Sequence, residues 1–430
     1  MSIVPALKLK QQSEIRRVSA LRSMLDAESF WPSEILEQPY VKLETTTGPL
    51  LFLTGPDLVQ AAIMEPSSRL PRSRLQQRFA GNGTGRENVI TDTGNRSQVH
   101  RRSLAPLFKA QMLPGYFSFV QQTIKQAIDP WFQAADTDIS VDVIRGSVHA
   151  TFGVIWQIMF GEAGKLTPPN IVFSLAESLF NAGATNRLRA TSEAIEYATK
   201  TSLQFLPDYP LAPGTPFSRV PPEGLQLTEQ EKVDNVRFLI TAGHESTALT
   251  ISWAMLMLAL HPELQESIAT EVRNKAGFGP ITLQSLRQMH QLGRVLDETM
   301  RLYPAAIVVN REAAIDLFLG DLSVSAGTQV AICFYGMHRH RSWWDNPDDF
   351  DPGRFDPVNK RIYHPSAFMP FSAGAHSCLG GHLAWTEAML VLANTLRDMK
   401  FTLKGDVAKP LARYTLRPDR PILLNFMRRY

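Results

Sequence analysis

Cys378 lies in the run Pro370-Phe371-Ser372-Ala373-Gly374-Ala375-His376-Ser377-Cys378-Leu379-Gly380-Gly381. Small residues crowd the approach to the thiol, and glycines follow it closely. Such a turn can aim backbone N–H groups at the sulfur. A helix predicted to start just behind adds its positive N-terminal end. Both effects favour the thiolate, the form that ligates metal. An ordinary free cysteine is a small buried hydrophobe, and the composition of this loop argues against that reading.

Two further clusters can do chemistry. In Glu298-Thr299-Met300-Arg301 the acid and the base sit three residues apart and share one helix face. The spacing alone is common, but Arg354, in the loop Asn346–Phe355, offers the same glutamate a second guanidinium. In Thr241-Ala242-Gly243-His244-Glu245-Ser246-Thr247, an acid stands beside two hydroxyls in an apolar helix, which suits a proton relay. Gly243 would let something bulky approach the backbone. Ser246 and Thr247 can bond back to carbonyls one turn earlier and open the helix. The pair His244-Glu245 lacks the second histidine of a zinc-protease helix, because Ala248 stands there.

The elements that must position these groups are mostly helical. Thr228-x-x-Glu231 is a capping box. From it, a periodic apolar pattern continues to His261-Pro262, about 48 Å of helix at 1.5 Å per residue. His244 and Glu245 in mid-run argue for a core helix and against a membrane span. A second helix ends at Tyr303-Pro304, and another follows Cys378 to about Met399. Val41–Thr54 reads as a hairpin turning at Gly48-Pro49, Gly81–Asn95 as a long loop without the GxGxxG order, and Pro207–Pro222 as an extended connector. Ala314–Phe334 and the last thirty residues read as short β runs. The expected architecture is one domain over 1–430, mainly α with small β-sheets.

Composition narrows the classes. The 430 residues carry 44 Lys plus Arg against 41 Asp plus Glu, a net charge of +3, with no concentrated basic stripe of a nucleic-acid binder. Only two cysteines are present, which excludes a disulfide scaffold. The N-terminal residues show no signal peptide or membrane anchor, so a cytoplasmic location is expected.

Together the motifs resemble the cytochrome P-450 family of haem-thiolate monooxygenases, of the soluble bacterial type, in the right order along nearly the whole chain. Phe371-x-x-Gly374-x-His376-x-Cys378-x-Gly380 is similar to the family's haem loop. Glu298 and Arg301 resemble its ExxR pair, with Arg354 as third member. Ala242-Gly243-x-Glu245-Ser246-Thr247 resembles its oxygen-activation motif. The resemblance implies haem b buried between the long helix and the cysteine loop, with Cys378 as axial thiolate favouring O–O cleavage. His376, Arg311 and Arg101, with His100 as a weaker candidate, would meet the haem propionates. Glu245, Ser246 and Thr247 would supply protons.

Serine at 246 stands where threonine is usual, which removes the methyl that restricts χ1. Ser97 stands where an aromatic or histidine is usual, and the stretch from Gly161 to Thr228 is short for the family. Pocket walls are expected from Phe238, Leu239 and Ala242 on the long helix and from Ala306, Ile307 and Val308, which makes the substrate a hydrophobic small molecule. With O2 as co-substrate and no fused redox module, electrons would come from ferredoxin and ferredoxin reductase, steered by Arg101, Arg102 and Lys109. A peroxide-driven peroxygenase and a non-catalytic haem sensor are the competing readings. The acid–alcohol pair Glu245-Ser246 weighs against both, since neither needs a proton relay.

Overall fold

The computed structural model describes residues 4–15, 27–137, 139–165, 226–358, 364–413 and 415–429. The predicted connector Pro207–Pro222 lies outside them, as does most of the Gly161–Thr228 stretch. The main helices are α1 (Pro56–Met64), α2 (Arg74–Thr84), α3 (Gly94–Phe108), α4 (Leu113–Ala134), α5 (Val143–Lys165), α6 (Glu229–Leu260), α7 (Pro262–Ala276), α8 (His290–Leu302) and α9 (Gly381–Asp398). The architecture is mainly α with small β-sheets.

Helix α6 is the axis of the molecule. Thr228 and Glu231 close the capping box reciprocally, with Glu231 N–H donating to Thr228 Oγ1 at 3.2 Å and Thr228 N–H to the Glu231 carboxylate at 2.6 Å. Pro262 opens α7 immediately beyond its end. From Ala248 to Leu258 every residue is buried, so the helix is apolar all round because protein covers it on every side. Helices α5, α8 and α9 pack along it. Among the described residues no helix is long and apolar enough to cross a membrane.

The largest sheet joins β1 (Tyr40–Thr45), β2 (Gly48–Leu53), β7 (Gln329–Ile332) and β4 (Val309–Glu312), in that order. β2 and β7 run parallel, and the other pairs are antiparallel. Short strands β3 (Val141–Asp142), β8 (Met399–Leu403) and β11 (Leu423–Arg428) form a second sheet. β5 (Leu317–Leu319) with β6 (Leu322–Val324), and β9 (Pro410–Ala412) with β10 (Leu416–Pro418), form two hairpins. The first hairpin turns at Thr46-Thr47 and not at Gly48-Pro49, since Thr45 pairs directly with Gly48. Gly48, at φ 116°, takes the left-handed position beside the turn, and proline is tolerated behind it where β2 begins. The loop predicted over Gly81–Asn95 is shorter, because α2 runs to Thr84 and α3 starts at Gly94.

Candidate functional site

The Cys378 loop is a tight chain reversal. Ser372 and Gly374 adopt φ of 56° and 66°. A Cβ on Gly374 would come within 3.1 Å of the Ile63 carbonyl, so the glycine is required by α1. Cys378 N–H donates to Phe371 O at 2.8 Å, and α9 begins at Gly381. The thiol is open to the space before it yet lies deep within the molecule. Burial therefore raises its pKa, while the Gly380 N–H and Arg101 draw it back. A cation bound before the sulfur would offset this burial and favour the thiolate.

Two adjoining cavities, of about 200 and 300 Å³, meet at Cys378. Phe238, Ser246 and Thr247 of α6, His376 and Ala384 line both. Leu239, Ala242, Gly243 and Gly380 line the first, while Ala306 and Phe371 line the second. Ile307 and Val308 line neither. Ile307 is buried in the main core, Val308 packs against it, and the neighbouring Val309 reaches the second cavity instead. Gly243 faces α5, where an added Cβ would lie 3.0 Å from Ile155, so it serves helix packing before any ligand.

Cations converge on this space. Arg101 is half-buried and donates to Ser377 Oγ at 2.7 Å. Arg311 on β4 is buried, and burial alone draws its pKa down to about 10. His376 is pushed down to about 3 by burial and then by Arg72, Arg311 and Arg101. Its Nε2 lies 2.8 Å from Ser67 Oγ. Among the described residues no carboxylate pairs with Arg101, Arg311 or His376. Arg72 was not evident in the sequence. The segment 71–73 runs beside β4, with Glu312 N–H donating to Pro71 O and Ser73 N–H to Asn310 O, which sets Arg72 opposite Arg311. Arg72 Nη1 donates to Val89 O at 2.8 Å and to Ser97 Oγ at 3.3 Å, so small Ser97 leaves room for a guanidinium.

His100 does not join these cations. It precedes Arg101 by one residue, about 100° around α3, and so faces a different way. Its Nε2 lies 2.6 Å from Asp92 Oδ2 and its Nδ1 2.8 Å from Asn235 Nδ2.

The relay residues divide. Ser246 and Thr247 reach the cavity walls, and Ser246 Oγ bonds back to Ala242 O at 3.3 Å, yet α6 runs on unbroken. Glu245 lines neither cavity. Its carboxylate accepts from Arg417 at 2.7 and 3.1 Å and from Thr415 Oγ1, both on the β9–β10 hairpin. Among the described residues, the acid that does line the first cavity is Glu387 of α9, which is buried, with Oε2 unpartnered. Burial raises its pKa. Its sequence signal is an acid in an otherwise apolar stretch of helix.

Glu298 binds Arg301 in two parallel hydrogen bonds of 2.6 and 2.8 Å, accepts from Arg354 Nε at 3.2 Å, and accepts from Asp351 N–H at 2.8 Å. Arg301 also donates to the carbonyls of His338, Pro347 and Asp349. The cluster fastens α8 to the 345–354 loop.

Known proteins share this organisation. The family described as Cytochrome P450 matches residues 217–426. The chain is 28% identical to Cytochrome P450 4A10 of Mus musculus, over 76% of this chain and 72% of that protein. It is 27% identical to Cytochrome P450 4X1 of Homo sapiens, over 83% and 78%. It is 28% identical to the taurochenodeoxycholic 6 alpha-hydroxylase of Sus scrofa, over 76% and 72%. The crystal structure of the cytochrome P450DA heme domain superposes with a TM-score of 0.77 at 21% identity, covering 91% of this chain and 90% of that one. A thiol set before a cation-lined cavity, on a fold and sequence shared with these relatives, makes the chain a member of the cytochrome P450 family of haem-thiolate monooxygenases.

Proposed function

We propose that Cys378 is the axial ligand of a haem b lying between α6 and α9, and that the chain hydroxylates a hydrophobic small molecule with electrons from a ferredoxin and its reductase. The observation that carries this reading is the pair of guanidiniums Arg101, on the cavity wall, and Arg311, close enough to act on His376, both without carboxylate partners among the described residues, with the neutral imidazole of His376 between them and Cys378 as a further hydrogen-bonding group. Buried cations are costly unless paired, and a haem brings two carboxylates to that place. When bound, it supplies oxygen activation that thiolate ligation favours.

The protein's own contributions follow from the walls. Arg101 and the Gly380 N–H stabilise negative charge on the Cys378 sulfur. Ile155, Phe238, Leu239 and Leu383 exclude water and favour an apolar substrate. The Ser246 and Thr247 hydroxyls hold exchangeable protons at the wall. One relative is itself named as a hydroxylase, which supports hydroxylation here. Arg102 on α3 and Lys109 just past its end are exposed while Arg101 turns inward, which leaves the first two to steer an acidic ferredoxin. Both cysteines are free, which suits a reducing, cytoplasmic setting.

The test is the absorption spectrum of the reduced protein with carbon monoxide. The parent should show the strongly red-shifted Soret band of thiolate ligation, and Cys378→Ser should lose it. A band at the ordinary histidine-ligated position in the parent would overturn the assignment. Charge reversal at Arg102 and Lys109 should slow reduction by a ferredoxin, and unchanged rates would remove that partner.

A further inference from the structure

Residues 85–93 cross the cavity between α2 and α3, and Val89 and Ile90 form part of its wall. Asn88 shapes the segment from inside, since its Oδ1 accepts from the N–H groups of Ile90 and Thr91 and its Nδ2 donates to Gly85 O at 2.9 Å. Those bonds make a turn but do not fix where it sits. Its position is set from outside. Glu87 N–H donates to Asp234 Oδ2 at 3.0 Å, and Val89 N–H donates to Asn235 Oδ1 at 3.0 Å. Both acceptors belong to the first turns of α6.

The orientation of the Asn235 amide is dictated by backbone. Val89 N–H can only donate, so the Asn235 oxygen must face it. Glu231 C=O can only accept, so the Asn235 NH2, 2.7 Å away, must face that. The same NH2 lies 2.8 Å from His100 Nδ1, which must therefore be the unprotonated ring nitrogen. The ring proton then sits on Nε2, aimed at Asp92 Oδ2 at 2.6 Å. Asp92 ends the same wall segment. Glu231 Oε1 lies 3.5 Å from Nε2 but is held by Arg96, and Arg72 donates to Val89 O. His100 is wholly buried, and so is Asn235.

We infer that Asn235 and His100 are positioning residues that set the substrate-facing wall formed by Val89 and Ile90, with Asn235 grasping its middle and His100 its end. The inference rests on the haem-pocket reading only for what the wall encloses. It gives His100 a role that its place beside Arg101 does not suggest, and it makes ligand selectivity depend on two residues that line neither cavity.

The experiment compares Asn235→Leu, Asn235→Asp and the parent holoprotein by amide hydrogen exchange and by optical titration with 4-phenylimidazole. Asn235→Leu removes the acceptor for Val89, so exchange in the peptide containing Val89 should rise at least tenfold while peptides of α8 and α9 stay within twofold. Asn235→Asp keeps an acceptor for Val89 N–H and should restore most of the protection, while its second oxygen gives up the bond to Glu231 O. It replaces the NH2 facing Nδ1 with an acceptor, so the His100 ring nitrogens should move in ¹⁵N NMR toward the doubly protonated position. The 4-phenylimidazole dissociation constant should rise in Asn235→Leu and recover in Asn235→Asp. Unchanged Val89 exchange in Asn235→Leu, or a uniform rise everywhere, overturns the inference. Selective exchange with an unchanged titration supports the latch and counts instead against the wall's enclosing the ligand site.

Discussion

Glu245 of α6 and Arg417 of β10 form a buried ion pair, Oε1 to Nη2 at 2.7 Å, that turns the α6 acid toward the C-terminal hairpin and away from the Cys378 cavity. Thr415 of the same hairpin completes the acid's surroundings. Leu416 N–H donates to Ala305 O, so the hairpin is also tied to the chain that lines the second cavity. An acid adjacent in sequence to Ser246 is thus structural in this arrangement, and the hydroxyls alone reach the cavity.

Removing one partner of such a pair leaves an uncompensated buried charge, which costs about 3–5 kcal/mol. Arg417→Met should destabilise the protein by that order in urea unfolding. The double variant Glu245→Gln with Arg417→Met should lose less than Arg417→Met alone. Simple additivity of the two single effects would show that the pair is not coupled.

Arg311 presents the opposite case. It is buried without a carboxylate among the described residues, and burial lowers its pKa to about 10. In haem-free protein, Arg311→Met should leave the melting temperature unchanged or raise it, because it removes an unpaired buried charge. In haem-loaded protein the same change should speed haem loss to a scavenger protein. Loss of stability in both states would mean that Arg311 serves packing alone.

Asp297 sits beside Glu298 on α8, and burial followed by that neighbouring charge raises its pKa to about 7. The folded state therefore keeps a proton that the unfolded state releases near its ordinary value of about 3.9. The unfolded state binds fewer protons between those values, so the contribution of Asp297 to stability is greatest below about pH 4, falls as pH rises to about 7, and is flat above. Asp297→Asn should flatten that fall, as read from melting temperatures between pH 4 and 8.

Glu298 is wholly buried and faces two guanidiniums. Glu298→Gln removes the charge while keeping the shape, and leaves Arg301 and Arg354 to repel each other without water to screen them. The loss should be about 3–5 kcal/mol, comparable to breaking a buried pair from one side. Limited proteolysis should then cut first in the 345–354 loop, which Arg301 and Arg354 hold through backbone carbonyls.

Some of this was legible without coordinates because it is local. The capping box at Thr228, the length of α6, the glycines around Cys378 and the three-residue spacing of Glu298 and Arg301 depend on neighbours within about one helical turn. The cysteine loop, the ion-pair motif and the central helix, taken in order, were enough to reach the family and its mainly α fold. The hydrophobic wall residues of α6 followed from helical periodicity, because Phe238, Ala242 and Ser246 must share a face.

What sequence did not decide were relations across long separations. Arg72 enters the cation cluster because segment 71–73 lies against β4, more than two hundred residues away. Glu245 is engaged by Arg417, and no local rule assigns an acid on one helix to a base on a distant hairpin. His100 and Arg101 are adjacent and can both carry a positive charge, and only the tertiary placement of α3, with His100 against Asn235 and Arg101 against Ser377, selected which one meets the cavity. How deeply Cys378 lies is a relation of the same kind. Residue types announce the groups that can attract a charge, but burial, which sets the opposing cost, is a property of everything folded around them.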